Sequence, residues 1–329
     1  MKTEETIQAI YGPIADDLRK VPEAILSILD SSNPLIGDVV RHFFAGQGKL
    51  LRPALTFLGA RMAGGSVDGK LVAMASAVEI FHVATLIHDD IIDDSKVRRN
   101  LPTVHTKWDA KTAVMIGDFF QDRAVITLYE NSGPEIHRRF WKVAETVCEG
   151  EIHEWREKNN LCLSEEDYLE IIRKKTAVLL AYCLESGAVA CGAERAASEK
   201  LLQFGLKLGM AFQIVDDCLD FEGDAEAFGK NPGTDFLGGV MTLPVIELLH
   251  SLDGTRKAGI GRLWRSGTSD PHGLRTLIGL MREHGALERA YGKARAFGEE
   301  ARALLKGFPE SPYRSSLFRL LDHVIERKR

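Results

Sequence analysis

Residues 71–94 read LVAMASAVEIFHVATLIHDDIIDD, and this stretch decides the fold. Apolar residues recur at three- and four-residue spacing through Val72–His88, which predicts a helix. The run is apolar nearly all round, the pattern of a helix buried in the centre of a bundle. Glu79, His82 and His88 interrupt it, so it falls short of an uncharged membrane span. His82, Thr85, Asp89 and Asp93 fall three or four residues apart and share one face. Carboxylates on a buried face are costly unless they are paired or bind a cation.

The same problem recurs downstream. Leu201–Phe221 is a second long apolar helical run, and Gln213, Asp216, Asp217 and Asp220 share one of its faces. Ala113–Leu128 and Tyr168–Leu184 carry the helical period as well, whereas alternating strands are scarce. Turn clusters at Ala63–Gly65, Asn131–Pro134, Gly229–Gly233 and Ser266–Gly273 mark helix ends. Ser164, followed by Glu165, Glu166 and Asp167, reads as a helix N-cap. Leu252–Gly273 reads as a loop between helices. The fold class that follows is all-α, one domain over residues 1–329, with the first few residues disordered.

Composition narrows the functions. Of 329 residues, 45% are hydrophobic, enough for a large core, and the net charge is -5. A pI near 6.1 argues against a nucleic-acid surface. Cys148, Cys162, Cys183, Cys191 and Cys218 form an odd set without CxxC spacing, which points to buried thiols in a reducing compartment. The acidic N-terminus lacks the apolar core of a signal peptide. The expectation is a cytoplasmic protein without a membrane span.

The two acidic faces are both DDxxD: Asp89, Asp90 and Asp93, then Asp216, Asp217 and Asp220. Oxygen-only clusters favour a hard ion such as Mg²⁺. Magnesium prefers one or two carboxylates plus phosphate oxygens and water, so two acidic motifs imply a polyphosphate substrate. Cations that phosphate would need stand nearby in sequence: Arg98 and Arg99, Lys174 and Lys175, and Lys230.

Here the chain resembles the trans-prenyltransferase (polyprenyl synthetase) family, from about Gly48 to Arg327. The matching stretches are Gly48 to Pro53, His82 to Asp94 with Arg98 and Arg99, Pro102 to His105, Gly117-Asp118 and Gly150-Glu151. Further on come Lys175-Thr176-Ala177, Phe212-Gln213 with Asp216 to Asp220, Gly229-Lys230, Gly233 to Asp235 and Thr242 to Pro244. The resemblance implies an isoprenoid-synthase bundle around a central cavity, normally a homodimer, with the aspartate motifs facing each other and holding three Mg²⁺. It makes Asp89, Asp93 and Asp216 direct ligands, with Asp90, Asp217 and Asp220 orienting them. Arg98, Lys175, Thr176, Gln213 and Lys230 would bind the allylic diphosphate. Lys49, Arg52, His82, Arg99 and Arg327 would bind isopentenyl diphosphate. The implied reaction is head-to-tail (1'-4) condensation with release of pyrophosphate, and it needs no side-chain nucleophile.

The chain departs from that pattern at Leu50 (often Arg), Asn100 (usually Gly), Glu154 (commonly Gln) and Val240 (often Lys). A class I terpene cyclase is a weaker reading, because its second metal motif is usually asymmetric. A non-catalytic or regulatory subunit of a hetero-oligomeric synthase, with reduced activity of its own, is the other alternative. In the family, the growing tail passes residues four and five before the first Asp. Ala84 and Thr85 are small, so the tail passes them and Phe81 becomes the next floor. The product expected is C20 or longer.

Overall fold

Helix follows helix along the chain, as its apolar spacing requires. The computed structural model describes residues 2–44, 48–222, 233–266 and 271–327. The chain begins with α1 (Lys2–Tyr11), a 3-10 turn (Gly12–Ile14), α2 (Ala15–Leu18), α3 (Val21–Ile28) and α4 (Pro34–Phe44). After α5 (Leu51–Met62) and α6 (Gly69–Ile92) comes a two-residue antiparallel ribbon, β1 (Val97–Arg98) paired with β2 (Leu101–Pro102). Then follow α7 (Val104–Lys107), α8 (Ala110–Asn131), α9 (Pro134–Glu157), α10 (Glu165–Ile172), a π-helical turn (Arg173–Ala177), α11 (Val178–Ala190) and α12 (Arg195–Glu222). The C-terminal part holds α13 (Thr234–Leu237), α14 (Leu243–Ser251), α15 (Gly254–Ser266), α16 (Pro271–Glu283), α17 (Ala286–Leu305) and α18 (Pro312–Glu326). The fold is all-α.

These residues gather into two compact units. One comprises Met1–Trp141, Cys183–Leu201 and Phe308–Leu317; the other comprises Lys142–Tyr182, Leu202–Gly307 and Phe318–Arg329.

The first unit is built around α6. Asp68 caps its N-terminus by accepting the Leu71 N–H at 2.9 Å, and α3, α5 and α8 pack on it. Val78, Ile80, Phe81, Val83 and Ile87 are all 3% exposed or less, and each such side chain contributes ~1.5–3 kcal/mol relative to exposure. By length and hydropathy alone α6 is long and apolar enough to cross a membrane, but 72% of its apolar window is buried inside the protein. The approach of α5 to α11 is backbone against backbone: a Cβ on Gly59 would sit 1.9 Å from the Leu184 carbonyl oxygen, and one on Gly187 would sit 1.9 Å from that of Thr56. Only glycine fits at either place.

In the second unit Ser164 caps α10 as its sequence predicts, accepting the Asp167 N–H at 3.0 Å. A buried carboxylate, Glu247 on α14, is held by Arg289 at 2.7 Å and by Lys293 at 2.7 Å, and Lys293 also pairs with Glu165 of α10. The expected loop over Leu252–Gly273 is instead mostly α15. Ile260 and Trp264, four residues apart, are buried, and the indole meets Phe236 edge-on at 4.7 Å. Its glycines and arginines concealed that apolar edge.

Candidate active site

In the first unit, α6 delivers Asp89, Asp90 and Asp93 at its last turn. Asp90 is 2% exposed and is gripped by Arg98, whose Nε donates to both carboxylate oxygens at 2.9 and 3.0 Å. Such a charge-assisted fork fixes both partners. Asp89 is half-buried and Asp93 exposed, one helical turn apart on the same face. Asp94 follows with a left-handed backbone, φ 51°. The ribbon β1–β2 turns through Arg99 and Asn100, at φ 51° and 63°, the paired left-handed geometry of a tight hairpin. Asn tolerates that conformation well, so Asn100 serves where glycine would.

The turn aims Arg99 back at the start of α5. A Cβ on Gly48 would lie 3.1 Å from both terminal nitrogens of its guanidinium, so glycine makes room for the side chain. Leu50, at φ 49° and ψ 39°, precedes α5 in a left-handed conformation, a strain of about 1–2 kcal/mol for a residue with a Cβ. Lys49 is exposed, and Arg52 lies half-buried in the first helical turn. The Arg52 Nε is buried and makes no hydrogen bond among the described residues. Burial pushes the His82 imidazole well below its ordinary value, and the charges of Arg52, Arg99 and Arg98 push the same way. His82 is therefore a neutral ring among cations.

Glu79, three residues before His82, is 5% exposed. Burial raises its carboxyl, while Arg52 and Arg99 oppose that rise. The sequence showed it only as an interruption. A carboxylate on a fully apolar helix, one turn from a candidate site residue, was the available signal.

The second unit repeats the division of labour. Asp217 is 4% exposed and receives the Tyr168 hydroxyl at 2.6 Å and the Gln213 amide at 2.8 Å. Gln213 in turn accepts the Thr176 hydroxyl at 2.8 Å. Asp220 accepts Thr234 Oγ1 at 2.8 Å and the Asp235 N–H at 3.2 Å. Asp216 alone of the three is exposed. Tyr168 and Asp235 were not foreseen as parts of the site. Burial, then Asp220, Glu154 and Asp216, push the Asp235 carboxyl up to about 7.

The cations in this unit meet carboxylates. Lys175 pairs with Glu151 at 2.8 Å and with Glu154. Arg327, grouped by resemblance with Lys49 and Arg52, donates to Asp216 Oδ1 at 2.9 Å and to the Phe212 carbonyl at 2.9 Å. Lys230 lies outside the described residues.

Among the described residues no three His, Cys, Asp or Glu side chains converge into a ready metal cage. The donors come in ones and twos, all of them oxygen. That suits a hard ion completed by phosphate oxygens rather than one held by protein alone.

Below the first motif, Ala84 is 1% exposed and Phe81 3%. The Thr85 hydroxyl donates to the His82 carbonyl of its own helix at 2.8 Å. Phe81 meets Phe140 edge-to-face, with ring centroids 5.0 Å apart.

Residues 33–281 match the family model described as "Polyprenyl synthetase". The chain is 34% identical over 321 residues to heptaprenyl diphosphate synthase component 2 of Geobacillus stearothermophilus, covering 98% of this chain and 99% of the other. Among solved structures it superposes with a TM-score of 0.91 on a polyprenyl synthase from Caulobacter crescentus CB15 complexed with calcium and isoprenyl diphosphate, at 33% identity and 98% coverage of both chains. A decaprenyl diphosphate synthase from Rhodobacter capsulatus gives the same TM-score, 0.91, at 33% identity, covering 98% of this chain and 99% of that one.

Proposed function

The chain belongs to the polyprenyl synthetase family, and from that footing we propose that it is a magnesium-dependent prenyltransferase that joins isopentenyl diphosphate to an allylic prenyl diphosphate. One observation carries the reading. The first DDxxD helix face pins buried Asp90 by Arg98 and presents Asp89 and Asp93; the second pins buried Asp217 by Tyr168 and Gln213 and buried Asp220 by Thr234, and presents Asp216. That division separates frame from ligand.

Asp89, Asp93 and Asp216 would hold Mg²⁺, three ions in the family pattern, with Asp90, Asp217 and Asp220 orienting them. The metal supplies neutralisation of the charge that develops on the departing pyrophosphate. Arg98, Lys175 and Lys230, with Thr176 and Gln213, hold the same diphosphate by fixed cations and hydrogen bonds, a preorganised field that needs no rearrangement as charge develops. Lys49, Arg52, Arg99, neutral His82 and Arg327 would bind the second diphosphate. The allylic C–O bond breaks and pyrophosphate takes the electron pair. The alkene of isopentenyl diphosphate then bonds to the allylic carbon, and the proton it loses passes to the released pyrophosphate. No side chain attacks.

We take the two units as one domain, since α9, α11, α12 and α18 each carry residues of both. A homodimer is the fitting assembly. Met115, Ile126 and Tyr129 on one face of α8, and Ile152 and Trp155 on α9, are each about half exposed or more, apolar side chains that a self-complementary contact between two copies would cover. The second reading, a catalytic subunit that needs a partner chain, is favoured by the word "component" in the name of the Geobacillus relative.

Mass measurement of the product from isopentenyl diphosphate and each allylic primer tests the proposal. Condensation by the purified chain, abolished by EDTA, is expected. No product from this chain alone favours the partner reading, and none under any pairing sinks the assignment.

A further inference from the structure

Lys175 stands on the π-helical turn between α10 and α11, a feature that often marks functional positions. Two carboxylates from α9 lie on its ammonium: Glu151 Oε2, at 2.8 Å, and Glu154 Oε2. Glu151 and Glu154 are three residues apart, so one helix face presents both. The three side chains are only 25%, 18% and 22% exposed. Solvent therefore screens these charges less than it would on an open surface. The same helix also supplies Glu149 to Lys174, at 3.3 Å. Asp235 lies within electrostatic reach of both Lys175 and Glu154, and also of Asp220 and Asp216, the last of which holds Arg327. Acid thus outnumbers base around the lysine that the proposed function assigns to the allylic diphosphate.

A diphosphate that takes this ammonium must compete with the carboxylates already on it. We propose that Glu154 is a positioning residue that weakens the hold of Lys175 on the allylic diphosphate and on pyrophosphate. The inference rests on the assignment of Lys175 in the proposed function. Glu154 spends no atom on substrate; it acts by holding the lysine in an ion pair that the diphosphate has to displace. The effect bears on substrate and leaving group alike, because both present the same phosphate oxygens to the same ammonium. It is thus a uniform binding effect, which alters the Michaelis constant and product retention more than the chemical step.

The test uses the full chain with Glu154→Gln, which keeps the shape and removes the charge, and Glu154→Ala as a second neutral variant. Pyrophosphate binding is measured by calorimetry in Mg²⁺ buffer, alongside Michaelis constants for both substrates. Both variants should tighten pyrophosphate binding and lower the allylic Michaelis constant by about two- to fivefold, the range of a partly screened ion pair. The constant for isopentenyl diphosphate should not move. In a Lys175→Gln background the same substitutions should have no effect on pyrophosphate binding, because a pair already broken cannot be broken again. Unchanged or weaker pyrophosphate binding in the single variants overturns the inference, and so does an effect that survives without Lys175. A wild-type chain that binds no pyrophosphate and makes no product instead refutes the underlying function, so the two failures are told apart.

Discussion

The Tyr168 hydroxyl lies 2.6 Å from Asp217 Oδ2 and donates to it, with both side chains almost wholly buried. The Gln213 amide satisfies the other oxygen. Tyr168→Phe removes one donor and leaves Asp217 underpaired in a dry setting. A loss of about 1–3 kcal/mol in unfolding free energy is expected. Asp216, next along the helix, would lose its fixed orientation, so half-saturation by Mg²⁺ should shift upward. Denaturant titration and metal titration of activity measure the two separately; a variant equal to wild type in both would show the bond to be idle.

The aspartates that face outward should respond more severely. Asp89→Ala or Asp216→Ala should cut turnover by orders of magnitude, because charge neutralisation matters chiefly in the transition state. Asp216 has a second consequence. Its loss frees Arg327, which bonds it at 2.9 Å. Direct Mn²⁺ binding followed by electron paramagnetic resonance should weaken in both variants. Near-normal turnover in either one would remove that residue from the metal site.

Much of this was legible in the sequence, for a physical reason. A helix apolar on all sides, as over Val72–His88, has few places to go except a core, and the polar residues it retains must be compensated. That logic marked Asp89, Asp93, His82 and Asp216 as polar groups on apolar helices in need of compensation, without any contact being known. What could not be read were partners far apart along the chain. Nothing local says that Lys175 meets Glu154, that Tyr168 reaches Asp217, or that Arg327 meets Asp216. Glu79 was visible but passed for an interruption, because its partners lie on other elements. The loop expected over Leu252–Gly273 failed differently: Gly254, Gly259 and Gly261 suggested turns, while burial of Ile260 and Trp264 overrode their weak helix propensity.

Arg52 offers a test of the isopentenyl half-site. Arg52→Ala would strand buried Glu79, so instability and lost binding would be mixed. Arg52→Lys keeps a charge near Glu79 but loses the planar fork that suits phosphate. It should raise the Michaelis constant for isopentenyl diphosphate by about tenfold, the value of one charge-assisted hydrogen bond, with the thermal midpoint nearly retained. A change confined to the allylic substrate would assign Arg52 to the wrong diphosphate.

The depressed His82 imidazole has a pH signature. Burial first, then Arg52, Arg99 and Arg98, hold it below the ordinary 6.5, with Glu79 the acid on its own helix. Above that pH the ring is neutral in both folded and unfolded chains, so its contribution is level. As pH falls below it the unfolded chain takes up a proton that the folded chain refuses. Stability then declines by at most about 1.4 kcal/mol per pH unit until the folded value is reached. His82→Gln should flatten this part of the curve between pH 7 and 5 in urea titrations. Identical curves for variant and wild type would mean that the ring is freely protonated in the fold.

Product length depends on what stops the tail, and the rings below the first motif make the argument specific. Ala84 and Thr85 offer no bulk, while Phe81 is anchored edge-to-face against Phe140 at 5.0 Å, both buried. An anchored ring is a firmer stop than a free one, since displacing it also forfeits its partner's packing. Setting the floor four residues further down the helix lengthens the tunnel by about 6 Å, room for roughly one more isoprene unit. Phe81→Ala should therefore lengthen the product, at a stability cost of about 3–5 kcal/mol for the cavity. Phe140→Ala should do the same by releasing Phe81. Ala84→Phe should raise the floor and shorten the product, at a cost of about 1–3 kcal/mol for overpacking. Mass spectrometry of the products with excess isopentenyl diphosphate reads all three variants against wild type. A wild-type enzyme that stops at C15, or a Phe81→Ala variant with an unchanged product, would place the floor elsewhere in the fold.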